Sequence, residues 1–478
     1  MSKLFLKNIA LTQLLNIIIK PIWLLVIDRV AQNELRDDYS SYYTALNLAL
    51  IFNILLDIGI QNFNQAQVAS NSNFFKVNIK AFVRLKIVLS AFFFLVVVLV
   101  GLLSKHSISL LLLIAFNQIL TSFVLYFRSN LSGLHLFTID SVLSVSDKGI
   151  AIIISVVFYF TNYRSIYAFI LAQSIGLLIS LLISLKYNIT SYKKIERNNE
   201  QVQNSIKQLI LKSLPFALLF ALMGLYTRLD VAMMQWLLPD YLYHNGIYAQ
   251  SFRLLDAATM FAMLFSGILL PMFSRLISEN KSVVSLINLS GVMLYVISIT
   301  TVIIVWLMGD RLLNLLYDFN DVEDLNLSYK IFKNIMLCFV PMCLVYVFGT
   351  LLTAKADIKA MNVFAIIALL TNLILNFVFI PQYQSHGASI SSVITQFVFG
   401  FLCLFRCFYL FKFKLNWSLL NKLFVFTFCQ IGLVFFVKSI DFIVIPLMII
   451  GFTSILFPFI LKIFTVDKLK ELLQKNEQ

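Results

Sequence analysis

The chain has 478 residues, of which 60% are hydrophobic and only 13% charged, with a mean hydropathy of +0.89. Soluble domains are about 45–50% apolar and about 25% charged, so this chain has too few charges to wet the surface of a globule its size. A soluble enzyme, a disordered tail and a nucleic-acid-binding module are excluded as readings, and the formal charge of +14 is read instead as basic cytoplasmic loops.

Met1–Ala10 carries Lys3 and Lys7 and leads into an apolar run with no small-residue cleavage site. That predicts a first spanning helix and not a removable signal peptide. A span needs about 20 mostly apolar residues. Ser107–Phe127, Ser282–Gly309, Ala360–Ser385 and Phe442–Leu461 contain no Asp, Glu, Lys, Arg or His at all. In chain order the expected spans are 9–30, 39–60, 80–103, 107–128, 139–160, 164–187, 211–238, 243–276, 283–308, 329–353, 359–380, 386–411, 417–438 and 440–465. With the N-terminus inside, 26 lysines and arginines fall on the inner side, 8 on the outer side and 3 within spans. This bias predicts two cytoplasmic termini and an even number of spans.

The fold class expected is therefore an all-α polytopic membrane protein with about 14 transmembrane helices. The longest polar linker, 187–210, follows the sixth span and divides residues 1–186, a six-helix half, from residues 211–414, a second one. Two extra helices (415–465) and a short cytoplasmic tail (466–478) follow. Val156–Ala168 (VVFYFTNYRSIYA) lies over Asn376–Ala388 (NFVFIPQYQSHGA), with Tyr163/Tyr383, Ser165/Ser385 and Ala168/Ala388 coinciding. Each copy ends the fifth helix of its half, so the repeat is parallel, a transporter design with the substrate site between the halves.

A charge at mid-bilayer costs at least about 2.5–3.5 kcal/mol and usually faces a bundle interior or a wet cavity. Lys20 stands in the middle of the first span, before Pro21; Arg228 and Asp230 stand in the seventh; Arg253 and Asp256, three residues apart on one face, stand in the eighth. Asp57 lies toward the inner end of the second span. One reading is ion pairing that fixes helix packing. The other is a cationic cavity in which Lys20, Arg228 and Arg253 receive an anionic headgroup, since the planar guanidinium bonds phosphate through two parallel donors. Asp57, Asp230 and Asp256 are candidates to carry protons or sodium, or to serve packing.

Five cysteines in apolar stretches (Cys338, Cys343, Cys403, Cys407 and Cys429) and four scattered histidines give neither a disulfide pattern nor a metal site. No cofactor is expected beyond H+ or Na+ as coupling ion. The chain contains no GxxxxGK[ST], HExxH or GxSxG. The acidic outer loop expected at Gly309–Tyr329 is too small for a catalytic domain. A secondary transporter or channel is expected, not an enzyme.

Leu214–Leu276 carries Pro215, Asp230, Gly246-Ile247-Tyr248, Arg253-Leu254, Pro271 and Ser274-Arg275. It resembles the seventh and eighth helices of polysaccharide flippases, the O-antigen and exopolysaccharide branch of the multidrug/oligosaccharidyl-lipid/polysaccharide (MOP) superfamily. Asn372–Ser391, with Asn376, Pro381, Gly387 and Ala388, resembles that family's eleventh-to-twelfth helix motif, except that Gln384 stands where the family often has glycine. The resemblance implies a flippase that moves a polyprenyl-pyrophosphate-linked oligosaccharide, an O-antigen or capsule or other exopolysaccharide repeat unit, from the inner to the outer leaflet of the bacterial plasma (inner) membrane. It implies that Arg253 and Lys20 contact the pyrophosphate, and on that reading Asn47, Gln250 and Asn376 are the candidate polar contacts for the sugar. The partners implied are the lipid-linked oligosaccharide, membrane lipids, and a polysaccharide polymerase and chain-length regulator, with no nucleic acid. The alternatives are a multidrug or toxin cation exporter of the same superfamily and an integral-membrane polysaccharide polymerase.

Overall fold

The computed structural model describes residues 15–461 apart from 17, 71, 196–205, 320, 414, 415 and 441. The start of the first expected span, the centre of the linker and the whole of the 466–478 tail lie outside the described residues. Among the described residues every regular element is helical.

Residues 15, 16 and 18–22 are helical. Pro21 has no N–H to give to the preceding turn, and a π-helical turn, Trp23–Asp28, follows at once. Helix α1 (Arg29–Ile51) is broken at Arg36, whose φ of 37° and ψ of −103° are non-helical. The break separates the first expected span from the second and brings Tyr39 back beside Asp28. A 3₁₀ turn, Phe52–Leu56, ends this part. Gly59, at φ 73°, takes a left-handed conformation that costs glycine nothing, and the chain enters the polar helix α2 (Ile60–Ser70).

Three hairpins follow: α3 (Ser72–Leu103), α4 (Ile108–Gly133), α5 (Phe137–Phe160) and α6 (Ile166–Lys194). Lys105, His135 and Asn162 sit at positive φ in the three turns. Ser165 caps α6, its Oγ accepting from Ala168 N at 3.1 Å. Amides tie α2, α4 and α6 together: Asn64 Nδ2 donates to Asn130 Oδ1 (2.6 Å) and Asn130 Nδ2 to Asn188 Oδ1 (3.0 Å). The loop count of basic residues includes Lys86 and Lys148, yet both lie well inside helices, α3 and α5.

Beyond the linker come α7 (Ile206–Leu237), α8 (Tyr241–Ser278) and α9 (Val284–Leu316). Helix α10 runs from Val322 to Ala354, so the outer loop expected over Gly309–Tyr329 shrinks to a few residues. Asp321 Oδ1 accepts from Asp324 N at 2.8 Å, and Glu323 and Asp324 occupy the first turn. Acids there satisfy free N–H groups and the helix dipole, so the acidic run begins a helix. Helix α11 (Ile358–Phe411) has 54 residues and a break at Gln384 (φ 54°, ψ −134°), dividing it into the eleventh and twelfth expected spans. Helices α12 (Trp417–Val437) and α13 (Val444–Ile460) end the described chain.

Ten of these helices are long and apolar enough to cross a membrane, and Val444–Ile460 is a shorter apolar helix. The expected all-α polytopic class is the one found. The chain divides into two compact units, Met1–Ala257 with Ile358–Ala388, and Ala258–Asp357 with Ser389–Gln478. In the first, Phe74, Phe75, Phe82, Tyr126 and Phe127 form a buried aromatic core. In the second, α12 and α13 pack on α9 through Val296 and Phe426 at one level and Ile303, Val434 and Ile450 at another. Their outer faces carry exposed Phe428, Phe436 and Phe452. The repeated segments share their exposure: Tyr163 and Tyr383 are exposed, Ala168 and Ala388 buried.

Candidate functional site

The first unit contains most of the intramembrane charge. The π-helical turn after Pro21 ends on Asp28, which is buried. The break at Arg36 returns Tyr39 to it, and Tyr39 donates its hydroxyl to Asp28 Oδ2 at 2.6 Å. On α8, Arg253 Nε lies 3.1 Å from the same carboxylate oxygen and 3.2 Å from the Tyr39 hydroxyl. Its Nη1 lies 3.7 Å from Asp256, one turn further along α8. Asp256 also meets Arg228 Nη2 of α7 at 3.6 Å, and Arg228 Nη1 donates to Asn47 Oδ1 at 3.4 Å. The result is a chain of alternating charge, Asp28–Arg253–Asp256–Arg228, built from three spans. Arg253 also lies over the Tyr43 ring at 5.2 Å and Arg228 over the Phe252 ring at 4.9 Å. The outer members of the chain differ in access: the Asp28 side chain is 3% exposed, the Arg228 side chain 21%.

Asp230, two residues from Arg228 and on a different face, belongs to another centre. It is fully buried. Tyr248 donates to its Oδ2 at 2.6 Å, and Asn372 and Asn376 donate to its Oδ1 at 2.9 and 2.8 Å. Asn376, expected at a sugar, thus has its amide nitrogen on a carboxylate. Asn47 is buried, donating to the Tyr43 carbonyl at 2.8 Å and accepting from Arg228. Gln250 is half-buried on α8, one turn before Arg253.

Asp57 stands apart from both centres. Its Oδ1 accepts from Gln61 N at 3.1 Å, capping α2, and lies 3.7 Å from Lys86. Lys86 is buried and donates to the Leu56 carbonyl at 3.0 Å. This pair secures the polar helix α2 where the second span ends. Lys20 is half-buried and senses the charges of Arg128, Asp147 and Lys148; Arg128 itself is paired with Asp140 at 2.8 Å.

Sequence reasoning paired Arg253 with Asp256 and expected Arg228, Arg253 and Lys20 in one cavity, but it did not pair Arg228 with Asp256 and missed Asp28, Tyr39 and Asn372. Asp28 ends an apolar run and reads as an interfacial residue until the helix is seen to continue to Arg36. The signal available was Pro21, which displaces the helical register behind it.

Residues 5–277 match the family described as polysaccharide biosynthesis protein. The chain belongs to that family. The matched segment contains every member of the Asp28–Arg253–Asp256–Arg228 chain. A capsular polysaccharide biosynthesis protein, CapF of Staphylococcus aureus, is 23% identical over 261 residues, 52% of this chain and 63% of the relative; the chain thus spans less than two thirds of that relative's length. Among solved structures, the lipid II flippase MurJ in an inward closed conformation superposes with a TM-score of 0.70 at 17% identity, over 96% of this chain and 98% of that one. An inward-facing multidrug resistance transporter of the MATE family, MOP superfamily, superposes with a TM-score of 0.63 at 10% identity, over 85% of this chain and 100% of that one. The family member described here therefore has the fold of MOP-superfamily transporters.

Proposed function

We propose that this chain is a flippase for polyprenyl-pyrophosphate-linked oligosaccharide, an O-antigen, capsule or other exopolysaccharide repeat unit. It moves the headgroup from the inner to the outer leaflet of the bacterial plasma membrane by alternating access of the two six-helix halves. The observation that carries this reading is the pair Arg228 and Arg253, set inside the spans of a polysaccharide-biosynthesis family member and held by Asp28 and Asp256.

In the absence of substrate the two carboxylates compensate guanidinium charges whose exposure in the membrane is costly. A pyrophosphate carries more negative charge than a carboxylate and presents several acceptor oxygens, so it competes for the same donors. Lys20 adds a third cation. Asn47 and Gln250 offer amides to sugar hydroxyls. Asp230, with Tyr248, Asn372 and Asn376 around it, is the carboxylate proposed to couple transport to H+ or Na+. A polymerase and a chain-length regulator are the proposed partners that use the flipped unit.

Disrupting the gene in its host and probing surface glycan by blot tests the reading. Loss of the glycan, with unchanged accumulation of cationic drugs, is expected. Altered drug accumulation with intact glycan indicates a multidrug exporter instead. Full glycan export by an Arg253→Ala, Lys20→Ala variant at normal protein level contradicts the cavity assignment.

A further inference from the structure

We infer that the groove between the first span, the end of α5 and the start of α6 is a lipid site. Its occupant is a phospholipid with a primary-ammonium headgroup, a phosphatidylethanolamine. The inference goes beyond the flippase reading and does not depend on what the chain transports.

The groove has a volume of about 320 Å³. Its recess exists because Ala31, Ser165 and Ala168 are small, and buried Phe169 forms part of its wall. Val26, Val156 and Phe160 line it and are exposed, so it opens sideways to the hydrocarbon of the bilayer. Glu34 and Arg164 are the two charged residues in its lining. Arg164 Nη1 donates to Glu34 Oε2 at 3.4 Å, and the two side chains are 39% and 41% exposed. The guanidinium lies 4.1 Å over the Tyr159 ring, which fixes its plane. Tyr159 and Tyr163 also line this end and are exposed. Tyrosines gather at the headgroup level of a membrane, so the charged end stands among headgroups and the apolar remainder runs inward. Ser155 lines the groove one turn deeper on α5 than Tyr159, and its buried Oγ has no hydrogen-bond partner among the described residues. That hydroxyl is a donor at the depth of an ester carbonyl, below the phosphate of a glycerophospholipid.

The charged end selects the headgroup. An exposed ion pair contributes little stability, so it opens readily for a ligand that satisfies both partners. A zwitterion does so: its phosphate accepts from Arg164 and its ammonium donates to Glu34, both through charge-assisted bonds. Exposed Arg36, Asp37 and Asp38 follow Glu34 in sequence, so with Arg164 this end has more acids than bases. A diphosphate or an acidic phospholipid meets that excess of negative charge. A choline headgroup has no N–H to give Glu34, whereas a primary ammonium has three.

The groove shares its walls with the charged chain. Val26, Ile27 and Val30 line it and flank Asp28 on the same helical run. Phe169 stacks on Trp23 at 5.4 Å and lies 6.4 Å from the ring of Tyr39, the donor to Asp28. A bound acyl chain therefore braces the part of the first span that presents Asp28.

Phosphatidylethanolamine carrying a diazirine in one acyl chain is the probe, with the purified full chain in detergent micelles. Photolysis and peptide mass spectrometry should place the label within residues 26–35 and 155–169. On the unaltered protein, unlabelled phosphatidylethanolamine should compete about tenfold better than phosphatidylcholine or phosphatidylglycerol, the effect of one charge-assisted hydrogen bond. Glu34→Gln should remove the advantage over phosphatidylcholine. Val156→Trp, which fills the groove from its open side, should abolish labelling while its thermal unfolding in lipid-free micelles matches wild type. Label found only outside the two segments, equal competition by phosphatidylcholine or phosphatidylglycerol, or undiminished labelling of Val156→Trp overturns the assignment. Stronger competition by a polyprenyl phosphate also overturns it and makes the groove a seat for a polyprenyl tail.

Discussion

Asp28→Asn is the most informative single change in the charged chain. Asp28 is buried and serves two groups at once, accepting from Tyr39 at 2.6 Å and facing Arg253 at 3.1 Å. The asparagine carbonyl still accepts one of these bonds, but Arg253 loses its nearest counter-charge. Asp256 remains at 3.7 Å and is shared with Arg228 at 3.6 Å, so it compensates only in part. Removing one partner of a buried pair costs about 3–5 kcal/mol; with Asp256 still present, about 3 kcal/mol is expected, or at least a hundredfold in the unfolding equilibrium. Arg253→Gln, which strands Asp28, should cost about as much. The double variant has neither charge and should be about as stable as either single one, which corresponds to an interaction energy of about 2–3 kcal/mol. Equilibrium unfolding in mixed detergent micelles, followed by circular dichroism, measures all four corners. Additive losses, with an interaction energy under about 0.5 kcal/mol, refute the pairing. Glycan export should fail in Arg253→Gln and in the double variant, because both lack the cation.

Further outcomes are expected at four sites. Gln384→Gly should stabilise the chain by about 0.5–1 kcal/mol, since the break in α11 holds Gln384 at φ 54°, where a side chain is strained. Gly387→Ala should destabilise by about 1–3 kcal/mol, because a Cβ there would stand 2.1 Å from the Phe379 carbonyl oxygen; thermal unfolding of the two variants reads both signs. Lys86→Met should cost about 3 kcal/mol by leaving Asp57 without its partner, while Asp57→Asn with Lys86→Met should recover much of that and keep glycan export. Asp230→Ala leaves the donors of Tyr248, Asn372 and Asn376 without an acceptor and should cost about 2–4 kcal/mol. The milder Asp230→Asn should fold and lose the dependence of transport on H+ or Na+, read by varying each ion across proteoliposomes.

The spans were legible because twenty apolar residues in a row have few other fates. Gln384 was marked only as a departure from the family's frequent glycine; the structure puts a positive φ there, between the eleventh and twelfth expected spans. The pairing of charges was not legible. Sequence spacing reports neighbours along one helix, so it found Arg253 with Asp256. It does not report Asp28, which reaches Arg253 across 225 positions only because a π-helical turn follows Pro21. For Asp57 the sequence left packing and ion coupling open. A lone acid near a span end resembles an ion-coupling group, and in the structure it caps α2 and pairs with a lysine buried in α3. The acidic segment around Asp321 was read as loop from its charge, although the same acids cap and start α10.

The central claim is that the chain moves a pyrophosphate-linked glycan headgroup across a bilayer through the Arg228–Arg253 site. The direct measurement uses proteoliposomes containing the purified chain and a fluorescent polyprenyl-pyrophosphate-linked oligosaccharide. An impermeant quencher added outside reports headgroups as they cross. The account predicts that wild type exposes the inner-leaflet pool and that Arg253→Gln does not, at equal reconstitution. Headgroup crossing at the same rate in empty liposomes, or undiminished crossing with Arg253→Gln and Arg228→Gln combined, would contradict it.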